Sequence, residues 1–518
     1  MPELVAKPKD TLRRPRVLLL ILGACFLMVM MDNTILNVAL SEIQRDLSAS
    51  NAQLQWSIDS YILVYAAMMF TAGVLADRFG RRKLLALGLV AFAAASALSA
   101  WAGTPEQLIF WRAVMGLGGS TIPPTTLAII KESLPENEQG KALGIWAALG
   151  GVSVAFGPSL GGVLLTTFWW GSVFLINIPI ALACLVMLFR FAPESKGSKS
   201  NAVDFPGLVL AAAATTFLVY GVIAAGSSGD WLEFSSGGSV VIGLVLVGVL
   251  VTVERRTPAP ALDVTLFQRP AFAGGTVAIS LAFLALTGST FLLVFFVQLV
   301  LNKTPLELGI LLLPVAVGSV CTAVGNAVIV RLLGFKWAIS IGLLVLACAL
   351  AVFLLVDARS SILLMESGLL LAGLGMGTVM GATTTLVMSA VDLHKAAVGG
   401  AINNTLRQVG AALGVAIFGS QLATNYRNQV DAALSALPAG LSGQARDSLG
   451  ATTYVLEELQ RLHPDQRQTI EDILSHAQTA FVGAMHSTFI VGVAVLLGGA
   501  VIAAVWIPSR ATSTKFGE

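Results

Sequence analysis

Fourteen apolar runs follow one another along this chain of 518 residues, and no other feature constrains its fold as tightly. They cover 17–40, 54–76, 83–102, 107–131, 141–166, 171–191, 205–225, 237–254, 271–299, 308–331, 335–356, 361–388, 396–420 and 480–507. At a rise of about 1.5 Å per residue, roughly twenty apolar residues span the ~30 Å hydrocarbon core of a bilayer. Lipid offers the backbone no hydrogen-bond partner, so runs of this length must close their own bonds as helices. The expected fold is therefore an all-α polytopic membrane protein with fourteen transmembrane helices. The first run is too long for a removable signal peptide and carries no small-residue cleavage site. Only 12% of the residues are charged, against about 25% in ordinary soluble domains.

Orientation follows from where the bases lie, because cytoplasmic loops are enriched in Lys and Arg. With the N-terminus inside, 22 of the 31 bases fall in inner segments and seven in outer ones. The remaining two, Arg112 and Arg407, lie within helices. An even helix count then places the C-terminus in the cytoplasm too. A net charge of +2 gives no reason to expect a nucleic-acid partner. Cys25, Cys184, Cys321 and Cys348 all sit in apolar runs and read as small buried hydrophobes. The sequence has no HExxH, Walker A lysine loop, GxSxG or CxxC, and its four histidines lack ligand spacing. No metal or cofactor is expected, and a membrane protease, an ATP-driven pump and a redox protein are disfavoured.

Only one soluble stretch has any size, the outer loop at about 424–479. Its helical patterning (TYVLEELQRL, then QTIEDILSHAQTAF) is broken by Pro438 and Pro464 and predicts a small cap over the outer mouth. KALGIWAALGG opens the fifth helix at Lys141 and KAAVGGAINN the thirteenth at Lys395, a hint of duplication. Repeated halves are the usual build of secondary transporters. This divides the chain into a six-helix half at 1–200, an inserted pair of helices at 201–258 and a second six-helix half at 259–518.

Two stretches carry more than patterning. GVLADRFGRRKLL, after the second helix, surrounds Asp77 with Arg78, Arg81, Arg82 and Lys83, and places Gly73 and Gly80 at the turn. A basic anchor needs no acid; an acid among bases can form ion pairs that break and reform between two packings. GGVSVAFGPSLGG, in the fifth helix, spaces Gly150, Gly157, Gly161 and Gly162 along a smooth face, with Pro158 removing one backbone hydrogen bond. The first resembles the inner-loop signature of the major facilitator superfamily, the second the antiporter signature of its drug-exporting branches. MDNTILNVAL, WSIDSYILVYA and WGSVFLINIPI resemble the first, second and sixth helices of its fourteen-helix drug:proton antiporters. The resemblance covers essentially the whole chain. It implies a major facilitator fold that works as a monomer in a bacterial plasma membrane. The implied activity is proton-coupled export of lipophilic, often cationic drugs, dyes or antiseptics. A dedicated exporter of one metabolite, antibiotic or lipid shares these motifs and stays open.

Charges at membrane depth are the candidate working residues, since each costs about 2.5–3.5 kcal/mol on insertion scales. Asp32 lies mid-helix with no terminus to excuse it. Asp59 and Glu366 lie near helix N-termini, where the dipole favours a carboxylate anyway. Arg112 is a cation near an N-terminus and needs a carboxylate, either Asp32 or Asp59. Burial favours the protonated acid and a neighbouring cation the ionised one, so Asp32 is expected to exchange its proton as access alternates. A lipophilic cation could compete for the same carboxylate. Arg407 and Gln408, with Asn403, mark polar positions in the thirteenth helix. Hydrogen bonding across helices is the first reading there and substrate contact the second. Some members of the family that the chain resembles carry extra acids in helices 10 and 13; this sequence has none there, and helix 13 has Asn403 and Asn404, which puts recognition of divalent cations in doubt.

Overall fold

The computed structural model describes residues 15–49, 51–195, 204–228, 232–257, 264–392, 395–434, 437, 439–446, 448–462 and 467–508. All regular structure within them is helical. The first half contains α1 (Pro15–Leu47), α2 (Asn51–Phe79), α3 (Arg81–Ala100), α4 (Pro105–Ser120), α5 (Ile122–Ser133), α6 (Glu136–Thr167), α7 (Ser172–Leu175) and α8 (Asn177–Phe191). A hairpin follows, α9 (Phe205–Ser228) and α10 (Ser239–Glu254). The second half contains α11 (Pro270–Phe295), α12 (Pro305–Leu311), α13 (Leu313–Phe353), α14 (Ile362–Ser389), α15 (Ala396–Leu434), α16 (Ala439–Ala445), α17 (Leu449–Leu462) and α18 (Arg467–Trp506). Among the described residues, eleven segments are long and apolar enough to cross a membrane. α6 and α15, of 32 and 39 residues, run beside them.

Local chemistry sets the helix ends. Thr104 caps α4 by accepting from the Gln107 amide, with Pro105 in the first turn. Thr304 and Glu307 form a reciprocal capping box that starts α12. α13 has 41 residues, about 60 Å if straight and roughly twice the hydrocarbon thickness. It folds back at Gly334, whose φ of 74° only glycine adopts cheaply. Gly318 in its first arm and Gly342 in its second both pack on the 370–379 stretch of α14. Gly80, with φ of 120°, makes the matching turn between α2 and α3. The two positive-φ glycines among the described residues thus sit in the two basic turns RFGRRK and RLLGFK, and Gly334 falls in the expected gap between the tenth and eleventh runs.

Within the first half, α1 packs on α6 and α8, and α2 and α3 pack on α4. Within the second, α11 packs on α15, and α13 on α14 and α18. α6 meets α12, α13 and α14 across the midline, while α15 meets α2 and α5. Of the hairpin, α9 lies in the seam between α2 and α15, with Trp56 stacked on Tyr220 at 6.2 Å. α10 packs chiefly on α9.

One expectation needs correction. Cys321 and Cys348 are exposed rather than buried, whereas Cys25 and Cys184 are buried. An outward face that meets lipid accepts a small apolar side chain as readily as a core does. In the stretch 424–479, expected as an outer loop with helical patterning, α15 extends to Leu434 and α18 begins at Arg467. Between them α16 and α17 form a small helical layer, tied down where Tyr426 bonds Thr452 at 2.7 Å. Pro438 and Pro464 lie outside the described residues.

Candidate functional site

Asp32 is fully buried in α1, and Arg112 of α4 is 1% exposed. Arg112 Nη1 donates to Asp32 Oδ2 at 2.5 Å, and its Nε donates to the Ser57 carbonyl of α2 at 3.0 Å. The guanidinium lies over the Tyr61 ring, 4.2 Å from its centroid. On the other side, Asn177 Nδ2 donates to Asp32 Oδ1 at 2.9 Å and to Ser96 Oγ at 3.1 Å. Ser96 in turn donates to the Phe174 carbonyl. A charge this deep is tolerable only when paired and hydrogen-bonded, and both conditions are met. Breaking such a pair from one side typically costs 3–5 kcal/mol.

Of the two acids open to Arg112, the structure selects Asp32. Asp59 is nearly buried, one helical turn after Gln55, whose Nε2 donates to Asp59 Oδ2 at 3.0 Å. Glu366 is half-buried on α14, which packs on α13, α6 and α11 rather than on the helices holding Asp32. The structure therefore does not join Asp59 or Glu366 to the pair. Asn177 was not singled out in the sequence; a neutral amide in a helix gives no charge signal, although it lies within the quoted WGSVFLINIPI.

The glycines of α6 act on the same place. A Cβ on Gly157 would collide with Thr34 Oγ1 and lie 3.0 Å from the Met31 carbonyl. One on Gly161 would lie 3.0 Å from Ile35 Cγ1, and one on Gly150 would collide with the Phe26 ring. This bare face seats α6 directly on α1 around Asp32. Gly162 is buried and Pro158 half-buried in α6, which continues through the proline.

At the basic-turn end, Asp77 joins the halves. Its Oδ1 accepts from Arg81 Nε and Nη2 at 2.9 and 2.7 Å. Its Oδ2 accepts from the amides of Ala397 and Val398 at 3.2 and 3.3 Å, in the first turn of α15. A carboxylate there also meets the positive end of the helix dipole. Arg81 extends to Glu132 at 2.6 Å, and Arg82 donates to the Ala192 carbonyl. The Arg82 amide donates to Glu194, whose carboxylate sits against Gly80. Gly73 lets α2 approach Ala397 and Ala401. Lys131 of α5 completes the join by donating to the Met388 and Val391 carbonyls at the end of α14. Thus an acid meets a helix start and a base meets a helix end. Arg78 is exposed beside Phe79. Lys131, Glu132 and Glu194 counted in the sequence only as loop charges. Asn403 and Arg407 are buried on α15, and Gln408 is half-buried.

The family model described as Major Facilitator Superfamily matches residues 22–415. The methyl viologen resistance protein SmvA of Salmonella typhimurium is 33% identical over 464 residues, 89% of this chain and 92% of that protein. The multidrug efflux pump LfrA of Mycolicibacterium smegmatis is 30% identical over 497 residues, 95% of this chain and 96% of that protein. The tetracenomycin C resistance and export protein of Streptomyces glaucescens is 31% identical over 80% of this chain and 78% of its own length. Among solved structures, the human organic anion transporter MFSD10 (TETRAN) superposes with a TM-score of 0.58, covering 93% of this chain and 99% of that chain. At 15% identity it speaks for the fold alone.

Proposed function

Because the chain belongs to the Major Facilitator Superfamily, with multidrug and drug-resistance efflux pumps among its relatives, we propose that it is a proton-coupled antiporter that exports lipophilic, often cationic compounds. It crosses the plasma membrane of a bacterium fourteen times as a monomer, with both termini and the RFGRRK turn in the cytoplasm. The sealed Asp32–Arg112 pair carries the reading, since nothing about a purely structural bundle requires an ion pair at that depth.

In this account Asp32 is the proton carrier. When the outer side opens, a proton neutralises Asp32 and releases Arg112 from it, while Asn177 and Ser57 hold the two side chains in place. When the inner side opens, the proton leaves and an arriving cation competes for the freed carboxylate. Protonation and substrate need only favour different access states for their movements to couple. The Asp77 and Lys131 contacts hold the cytoplasmic ends of the halves together, so they must break once per cycle.

The test is efflux of a cationic dye from energised cells, with and without an uncoupler. Efflux that collapses with the proton gradient supports exchange. Efflux that persists without the gradient contradicts it. A dedicated exporter is the second reading, favoured by the relative named for tetracenomycin C export. It predicts one structural class of cargo rather than several unrelated dyes.

A further inference from the structure

Arg407 is the counterpoint to Arg112. It is 2% exposed on α15 and reached from both halves. Its guanidinium lies 5.3 Å from the Phe26 ring centroid on α1 and 4.9 Å from that of Phe283 on α11. Nη2 points at the Met30 sulfur at 3.8 Å, and the Tyr65 hydroxyl of α2 faces the group without a well-formed hydrogen bond. Phe26 is itself backed by Trp146 of α6, stacked at 3.7 Å. Among the described residues no carboxylate pairs with Arg407, and its Nε has no partner. One turn earlier, the buried Asn403 Oδ1 also has none.

A guanidinium carries five donors in a flat fork. Two aromatic faces and a thioether stabilise its charge weakly and satisfy almost none of those donors. A cation built only for packing would have been given an acid, as Arg112 was. The fork matches a carboxylate in two-pronged fashion, and the rings beside it suit an aromatic body.

We propose that Arg407, caged by Phe26, Phe283, Met30 and Tyr65, is a binding site for the carboxylate of an aromatic amphiphile, so that substrates include zwitterions and acids as well as cations. The proposal rests on the export reading, in that the ligand is cargo.

The test compares rhodamine B, which carries a free carboxylate, with its ethyl ester, which has the same rings without that charge. Both are titrated by fluorescence anisotropy against the full chain in nanodiscs of zwitterionic lipid. The acid is expected to bind about tenfold or more tightly than the ester, the worth of a charge-assisted hydrogen-bonded pair. Arg407→Gln should bring the acid down to the ester's affinity and leave the ester within about threefold. The ester thereby reports that the variant is folded. If Arg407→Gln binds neither dye, Arg407→Lys decides: a reduced preference for the acid supports the site. Ester binding with no preference overturns it. Equal affinity of the wild type for the two dyes also overturns it, as does loss of the preference when phosphatidylglycerol is added, which would mark a lipid headgroup site. Absence of any efflux of either dye from energised cells would sink the export reading while leaving the binding preference intact.

Discussion

Asp32→Asn, Arg112→Gln and the double variant should not add. Each single change leaves one buried charge without its counter-charge. The pair sits at 2.5 Å with 1% exposure or less on either side, so water cannot replace the lost partner. Removing one side of such a pair costs about 3–5 kcal/mol, the same size as the ~4 kcal/mol that two charges 4 Å apart gain at an effective dielectric of 20. The double variant keeps an amide-to-amide contact and leaves no charge behind. It should therefore unfold within about 1 kcal/mol of the wild type, a coupling of about 5 kcal/mol or more. The assay is unfolding in mixed micelles with rising SDS, followed by near-UV circular dichroism. Singles that add to within about 0.5 kcal/mol in the double would refute a sealed pair. Rescue of stability should not bring rescue of transport, because neutrality restores packing but not a proton site.

Other expectations can be stated more briefly. Asp77→Asn removes the charge that meets the start of α15, worth up to about 2 kcal/mol and so about thirtyfold in the open-to-closed ratio. Spin labels at the exposed Phe79 and Leu332 should gain a longer-distance population by double electron–electron resonance, and an unchanged distribution refutes the latch. Gly157→Ala should overpack α6 against Thr34 and cost about 1–3 kcal/mol along with much of the efflux rate. Gly248→Ala on α10, where a Cβ would meet nothing within 4 Å, should change neither. Asn177→Ala deletes a donor to a charged acceptor, about 1.5–3 kcal/mol, and should slow proton-coupled efflux more than it lowers dye affinity. Equal effects on both would make Asn177 a packing residue only.

What could be read from the sequence followed from the range of the interactions involved. Helix existence is a local property of apolar runs, and Gly334 divides α13 where the tenth run gave way to the eleventh. Asp32 stood out because a mid-helix carboxylate violates the solvent rule of the bilayer. Which acid Arg112 takes was not legible, since either Asp32 or Asp59 could supply the carboxylate it needs. The choice depends on Ser57 and Asn177 aiming the two side chains. The Asp77 bond to Ala397 joins residues 320 positions apart and needs the halves packed before it can be seen. Lys131 and Glu132 were indistinguishable from anchoring charges until α14 and α3 were placed beside them.

Reconstituted vesicles test whether Asp32 carries the coupled proton. Purified wild type and Asp32→Asn, at equal density and orientation, would be given a cationic dye gradient while a trapped pH indicator records proton movement. Dye-driven proton flux is expected in the wild type and its loss in Asp32→Asn, with Asp59→Asn retaining a measurable fraction. Proton flux of undiminished size in Asp32→Asn would contradict it, and the pair with Arg112 would then be part of the scaffold alone.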